Sequence, residues 1–129
     1  MKDMPDYARD IIKDMPDWRV VQAEDIDAQG NALAPTGVWF VLLEYTVPLG
    51  KMLLIYDWSV AMGVAGDMAG QMVNATAALY ISYGGGAQGF QTPFNKPKRI
   101  TAGQKVQVYG IQNTGAQQTM YGHFGGILI

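Results

Sequence analysis

The feature that most constrains this chain is a succession of short apolar segments separated by turn residues, which begins near Val20. Six segments have the length and the alternating or continuous apolar pattern of strands: residues 18–22, 38–47, 51–62, 75–83, 105–112 and 119–129. Clusters of glycine, proline and asparagine lie between them, and such clusters are typical of turns. Without long helical patterns between the segments, the sequence predicts six to eight strands in a sandwich or barrel.

Five short stretches have the composition of turns, and we predict a turn at each of them. They are Gln29-Gly30-Asn31, Pro48-Leu49-Gly50, Gly84-Gly85-Gly86, Ala102-Gly103 and Asn113-Thr114-Gly115. Alternation is clearest at residues 105–109, where Val106 and Val108 share one face of the predicted strand. Residues 60–74 remain open between a long glycine-rich loop and a short helix.

The N-terminal segment contains a short repeat, because KDMPDY at residues 2–7 recurs as KDMPDW at residues 13–18. Proline is tolerated in the first turn of a helix, and Asp3 can cap the turn that Pro5 enters. Pro16 disfavours helical geometry at the residue before it. The pattern therefore predicts a helix of about ten residues, from about Pro5 to Asp14, a length that is unstable in isolation.

Apolar residues of this segment recur at helical spacing and form one stripe. Because the helix is too short to persist alone, the stripe must dock on the chain's own body or on a neighbour. We therefore predict two parts, an N-terminal arm at residues 1–19 and a β-sandwich at residues 20–129. The predicted anchors of an assembly interface on the arm are Tyr7, Ile11, Met15 and Trp18.

Charge is scarce and unevenly distributed. Only 16% of residues are charged, against about 25% in an ordinary soluble domain. Residues 1–27 hold eight of the eleven acids and four of the nine bases, which leaves three acids and five bases for residues 28–129. A body with so few charges indicates that much of its surface faces other subunits, although a surface of neutral polar residues would look similar.

The residues offer little for catalysis or for binding a cofactor. No cysteine is present, which excludes disulfides, thiolate zinc sites and thiol nucleophiles. A single histidine, His123, is better explained as a hydrogen-bonded strand residue than as a metal ligand. The stretch from Asp25 to Gly30 is similar to the start of a calcium loop, but Thr36 cannot supply the final bidentate carboxylate, so we interpret it as a hairpin turn. We expect no enzymatic activity, no cofactor and no metal.

One basic cluster stands out in the body: Lys96, Lys98 and Arg99. Three bases on a protein of pI ≈ 5.1 make a smaller basic field than nucleic acid requires, so we expect no nucleic-acid partner. The cluster instead predicts a salt-sensitive electrostatic contact with an acidic protein segment such as the arm. No apolar run reaches the roughly 18 residues of a membrane span, and no secretion signal is visible, so we expect a soluble protein.

Aromatic residues of the predicted strands allow two interpretations. They could form a platform on which sugar rings stack, or they could fill the core and contact surfaces. The second role is the more frequent one for aromatics within strands. The five candidates for a platform are Trp39, Trp58, Tyr80, Tyr83 and Phe90.

A family resemblance rests on four stretches between residue 46 and residue 129. These stretches resemble parts of small jelly-roll proteins of tailed-phage virions. They are the turn and strand at residues 46–55, the run ITAGQKVQV at residues 100–108, the turn Asn113-Thr114-Gly115 and the ending at residues 126–129. Members include head decoration or cement proteins, head fibres and tail-associated modules. The resemblance implies an all-β, jelly-roll-like antiparallel sandwich with no catalytic residues to transfer.

The resulting functional expectation is a virion structural protein. The first hypothesis is a decoration or cement protein, made in the host cytoplasm, that binds the capsid surface and stabilises the assembled phage head. Its partners would be the major capsid protein or other virion proteins, and it would form a homo-oligomer, with a trimer favoured. The alternative is a receptor- or glycan-binding module of a phage fibre or tail.

Overall fold

The chain forms eight antiparallel strands in the computed structural model, which describes residues 23–129. Each strand ends at a turn or loop in which glycine, proline or small polar residues are concentrated. The strands are β1 (Glu24–Ala34), β2 (Phe40–Thr46), β3 (Leu53–Met62), β4 (Met68–Asn74), β5 (Leu79–Gly86), β6 (Gly89–Ile100), β7 (Lys105–Gln112) and β8 (Gln118–Leu128).

The strands form two four-stranded sheets that pack face to face. Sheet A has the order β1-β8-β3-β6, and sheet B has the order β2-β7-β4-β5. The pairs are nested: β1 pairs with β8, β2 with β7, β3 with β6 and β4 with β5, and successive pairs alternate between the sheets. This is one long hairpin rolled over two sheets, so the predicted jelly-roll sandwich is confirmed.

The core lies between the sheets and follows the period of two that strands impose. In β7 the residues Val106 and Val108 are fully buried, whereas their neighbours Lys105 and Gln107 are only half-buried. Sheet A contributes the large side chains Trp58 and Phe124 from β3 and β8.

A row of three glycines crosses the inner face of sheet B. Gly110, Gly70 and Gly84 are paired across β7, β4 and β5. A Cβ on Gly84 would lie 2.5 Å from the Phe90 ring, and one on Gly70 would lie 2.9 Å from the same ring. The ring therefore occupies the space that side chains would otherwise fill, and its edge meets Trp58 at a centroid distance of 5.0 Å.

The prediction of a turn at Gln29-Gly30-Asn31 is wrong, and so is the hairpin turn proposed from Asp25 onward. All of these residues belong to β1, which pairs with β8 along its whole length. The glycine that suggested a turn serves close packing, because a Cβ on Gly30 would collide with the backbone carbonyl of Leu42 in the facing sheet.

Glycine also led to wrong predictions for two other segments, which are strands. Residues 68–74 are neither loop nor helix but strand β4, in which Met68, Gly70 and Met72 face the core. The predicted turn at residues 84–86 is wrong as well, because these glycines are the last residues of β5. In both cases the inward glycine leaves room for Phe90. A strand in which glycine alternates with larger residues has the composition of a loop, so the sequence did not indicate a strand.

Strand β6 was not predicted, because Pro93 and Pro97 interrupt its pattern. Among residues 23–129, β6 is an edge strand that pairs only with β3, and proline is tolerated at sheet edges because one side of the backbone needs no donor. The pairing shifts beyond Lys98, which lies opposite Ile55, and resumes at Pro93 opposite Asp57. The intervening residues of β6 include the buried Phe94.

The other predicted turns are confirmed. Gly50, Gly103 and Gly115 have positive φ values, the conformation for which glycine is the usual residue. Gln112 fixes the last of these turns from a fully buried position: its Nε2 donates to the carbonyls of Ala34 and Ala116, and its Oε1 accepts from Thr114.

Several predictions concern residues that precede Ala23 and lie outside the described part of the chain. They are the helical arm at residues 1–19, the strand at residues 18–22 and the four anchors Tyr7, Ile11, Met15 and Trp18. The division between residues 1–19 and 20–129 therefore stays a prediction.

Candidate functional site

The outer face of sheet B carries a group of partly or largely exposed aromatic side chains, which we call the aromatic face. Outward positions alternate with the buried residues of each strand, so side chains on β4, β5 and β7 lie side by side. Tyr83 pairs with Gln71, which in turn pairs with Tyr109. The aromatic face comprises Trp39, Tyr80, Tyr83 and Tyr109.

Two of these rings meet across the sheet. The centroids of Trp39 and Tyr83 are 6.4 Å apart with the rings at 64°, an edge-to-face arrangement. Trp39 immediately precedes β2 at one edge of sheet B, and Tyr83 belongs to β5 at the other edge. The small residues Ala69 and Gly85, which pair across β4 and β5, lie in the neighbouring row and add little bulk there.

A shallow recess of about 330 Å³ lies beside Tyr80 at one end of the aromatic face. The Tyr109 hydroxyl donates to Oε1 of Gln107 over 2.7 Å, and the Gln107 amide in turn donates to Glu44. This chain of hydrogen bonds fixes the polar side of the recess. Its lining includes Val73, Leu79, Tyr80, Gln107 and Tyr109.

Charge is almost missing from sheet B. Its four strands hold two charged residues, Glu44 and Lys105. By contrast, Tyr80 is 77% and Tyr83 66% exposed. An exposed surface of aromatic and apolar side chains with few charges is typical of a contact surface for another macromolecule or a ligand.

Only part of the predicted stacking platform is brought together. Trp39, Tyr80 and Tyr83 lie on the aromatic face, but Trp58 is fully buried and Phe90 packs against it. Including Trp58 and Phe90 in the platform was therefore wrong, since both point between the sheets. Tyr109 was not predicted to belong to the platform. Its place in an alternating strand, directly after the inward Val108, indicates that its side chain points outward.

The basic cluster lies on the edge strand β6, where Lys96, Lys98 and Arg99 are all exposed. The Lys98 ammonium lies 5.3 Å from the centroid of the Phe94 ring, a cation–π contact that holds its position. Arg99 pairs with Leu54 and therefore lies beside that residue in sheet A. The predicted acidic partner of the cluster stays a prediction.

Two other polar residues that the sequence singled out, His123 and Asn74, have structural partners. His123 belongs to β8 as predicted, and its Nε2 contacts the Asp27 carboxylate of the neighbouring β1. Asn74, part of the pattern Asn74-Ala75-Thr76, is buried and donates to Oε1 of Gln104 over 3.0 Å. Within residues 23–129, no group of three or more histidine or acidic side chains is arranged to hold a metal ion, and no helix could cross a membrane.

Tyr45 connects the two sheets near Glu24, the first residue of β1. Its ring meets Phe124 of sheet A edge-to-face with centroids 5.7 Å apart. Burial raises the pKa of Tyr45 above its ordinary value of 10.0, and the negative charge of Glu24 raises it further. The neutral phenol is thus the form that this site favours.

Two solved virus structures contain chains with a weak structural likeness to this one. One is the structure of infectious bursal disease virus Gt strain, at 13% identity and a TM-score of 0.42, covering 83% of this chain and 32% of that chain. The other is the Gx strain of the same virus, at 12% identity and a TM-score of 0.41, covering 83% and 31%.

The chain thus spans about a third of the length of the virus chains that it matches. No protein-family model matches this chain, and no curated protein matches it. A likeness of this size implies no function, and the jelly roll rests on the strand order described above.

Proposed function

We propose that this chain is a structural protein without enzymatic activity and, more narrowly, a decoration or cement protein of a tailed-phage head. The observation that carries the proposal is the aromatic face, a weakly charged, exposed surface on a jelly roll. Viral capsid domains and lectins share this architecture, and both use it to present surfaces rather than catalytic groups.

Decoration would act through mass action. A protein that binds the assembled shell, but not its dissociated subunits, stabilises the shell by an amount that grows with its concentration relative to its Kd. The partner would be the major capsid protein, contacted at the capsid surface. A symmetric homo-oligomer, with a trimer favoured, would place several aromatic faces on the shell at once and raise its avidity.

The aromatic face gives this contact a physical basis. Tyrosine and tryptophan bury large areas at a low cost in side-chain entropy and dominate the energetics of many interfaces. Tyr80 and Tyr83 are exposed enough to lose most of their solvent contact on binding. Burial of each ring then contributes roughly 1.5–3 kcal/mol before ordering costs.

The test is binding to heads assembled without the protein. The variant Tyr80→Lys/Tyr83→Lys should bind such heads at least tenfold more weakly than the wild type, because two ammonium groups would have to be buried. The matched control is Tyr121→Lys, an exposed tyrosine on the outer face of sheet A. Equal affinity of both variants and the wild type would contradict the role of the aromatic face.

A second candidate function is a receptor- or glycan-binding module of a phage fibre or tail. The edge-to-face pair of Trp39 and Tyr83 and the recess beside Tyr80 favour it, because sugar rings stack on exposed aromatic side chains. Glycan-array binding that is lost in Trp39→Ala, with the fold intact, would support this candidate. Shell binding without any glycan binding would support decoration.

A further inference from the structure

The outer face of sheet A is divided into a bare end and a covered end. At the bare end Leu33 is 56% and Tyr121 49% exposed. At the other end Leu54 is 0%, Ile127 2% and Ile129 2% exposed. These three aliphatic side chains form what we call the covered patch.

The covered patch does not belong to the core between the sheets. Leu53 and Leu128 face the core and are part of it, so their neighbours Leu54 and Ile127 point to the opposite side of sheet A. Ile129 continues the same outward series, and its backbone pairs with Met52. Three buried side chains on an outer face require a cover.

The flanking strands do not provide that cover. Leu54 pairs with Ile127, and the next positions of the same row are Asp25 on β1 and Arg99 on β6. Both are exposed charged residues. Tyr56, the next outward position on β3, lies against Gly125, where a Cβ would be 3.2 Å from its ring.

The path of the chain leads to the covered patch. β1 begins at Glu24, which pairs with Leu128, so the 22 residues before Ala23 join sheet A at the covered end. That segment has a predicted apolar stripe at Tyr7, Ile11 and Met15. It is also rich in aspartate, opposite in sign to the exposed Arg99 beside the patch.

We propose that residues 1–22 dock on the outer face of sheet A of their own chain and cover Leu54, Ile127 and Ile129. The arm's apolar stripe lies on the patch, and its aspartates lie near Arg99 on the edge strand. Because the patch is buried within a single chain, the proposed occupant is the chain's own arm and not a second copy. This inference stands independently of the proposed function.

Trypsin tests the docking, because the arm contains the cleavage sites Lys2, Arg9, Lys13 and Arg19. A docked arm is cleaved slowly, since proteolysis requires local opening. Full-length Leu54→Asp should release arm peptides at least tenfold faster than the wild type, as followed by mass spectrometry. The matched control Leu33→Asp, at the bare end of the same face, should leave the rate unchanged.

A second variant separates loss of docking from misfolding of the sandwich. Ile11→Asp lies outside every described strand and should also accelerate cleavage at least tenfold, while the cooperative melting of the sandwich persists. Wild-type cleavage rates in both variants would overturn the proposal. Protection that falls when the protein is diluted would also overturn it, because the occupant would then be a second copy.

Discussion

The outer face of sheet B and the covered end of the outer face of sheet A differ in the exposure of their apolar side chains. Sheet B exposes Tyr80 and Tyr83 to solvent, whereas sheet A keeps Leu54 and Ile127 out of contact with water. Both sets lie on the side of a sheet that faces away from the core. The difference separates a surface that is free for a partner from a surface that is already occupied.

This comparison shows that residue type alone does not identify an interaction surface. A leucine on an outer face can be a solvated residue or part of a second, smaller core. Exposure decides between the two, and exposure depends on segments that pack from elsewhere in the chain. The predictions below test each half of the comparison.

The largest expected effect concerns two leucines, one in the covered patch and one exposed at the start of β5. Leu54→Ala should lower the free energy of unfolding by about 2–5 kcal/mol, the cost of truncating a buried leucine. Leu79→Ala on β5, where the side chain is 61% exposed, should change it by no more than about 0.5 kcal/mol. Urea denaturation followed by circular dichroism measures both values. Equal costs would remove the distinction between the covered patch and the exposed face.

Binding to the shell should depend on sheet B and not on sheet A. Tyr80→Lys/Tyr83→Lys should raise the dissociation constant for heads assembled without the protein about tenfold, which corresponds to about 1.4 kcal/mol. Tyr121→Lys should leave it unchanged, because that tyrosine lies on the opposite outer face. Cosedimentation with such heads at several micromolar concentrations measures the effect. A double variant that cosediments like the wild type would contradict it.

The ring pair on the aromatic face should contribute a smaller energy. A double-mutant cycle with Trp39→Ala and Tyr83→Ala should give a coupling of about 0.5–1.5 kcal/mol, as edge-to-face pairs do. The free energies of the wild type, both single variants and the double variant come from urea denaturation. Strictly additive effects would show that the two rings do not meet in solution.

The smallest expected effect lies at the junction of the sheets. Because the pKa of Tyr45 is raised in the folded protein, the neutral phenol contributes stability at pH values below 10.0. That contribution is lost as the pH rises from 10.0 through the raised pKa. Ultraviolet titration, with Tyr45→Phe to assign the signal, should show Tyr45 ionising above pH 10.0. Glu24→Gln should move its titration to lower pH, and no movement would exclude the charge of Glu24 as a cause.

The sequence predicted the fold class and the strands whose alternation is unbroken. β7 was predicted with its observed bounds, because Val106 and Val108 alternate with polar residues. β1 and β4 were not predicted as strands, because Gly30 and Gly70 occupy inward positions, where the facing sheet comes too close for a side chain. That closeness is a property of the packed sheets, and a single segment does not encode it.

The candidate surface was predicted only in part for a similar reason. Trp58 and Tyr83 look alike as aromatics within strands, yet one is buried and the other exposed. A bulge between Ile55 and Asp57 shifts the alternation of β3 and obscures which face each residue takes. The covered patch did leave a signal, since the continuous apolar run from Leu53 to Ile55 is typical of a strand buried on both faces.

The nested pairing of the strands also determines when each surface can form during synthesis. β4 and β5 can pair as soon as both have left the ribosome, whereas β1 must wait for β8. Residues 1–22 precede every described strand, but their proposed docking site includes Ile127 and exists only after β8 is made. Pairing of such distant segments is intrinsically slow. During that delay the arm of one copy can reach the finished patch of another, so we expect domain swapping to compete with the proposed docking wherever nascent chains are crowded.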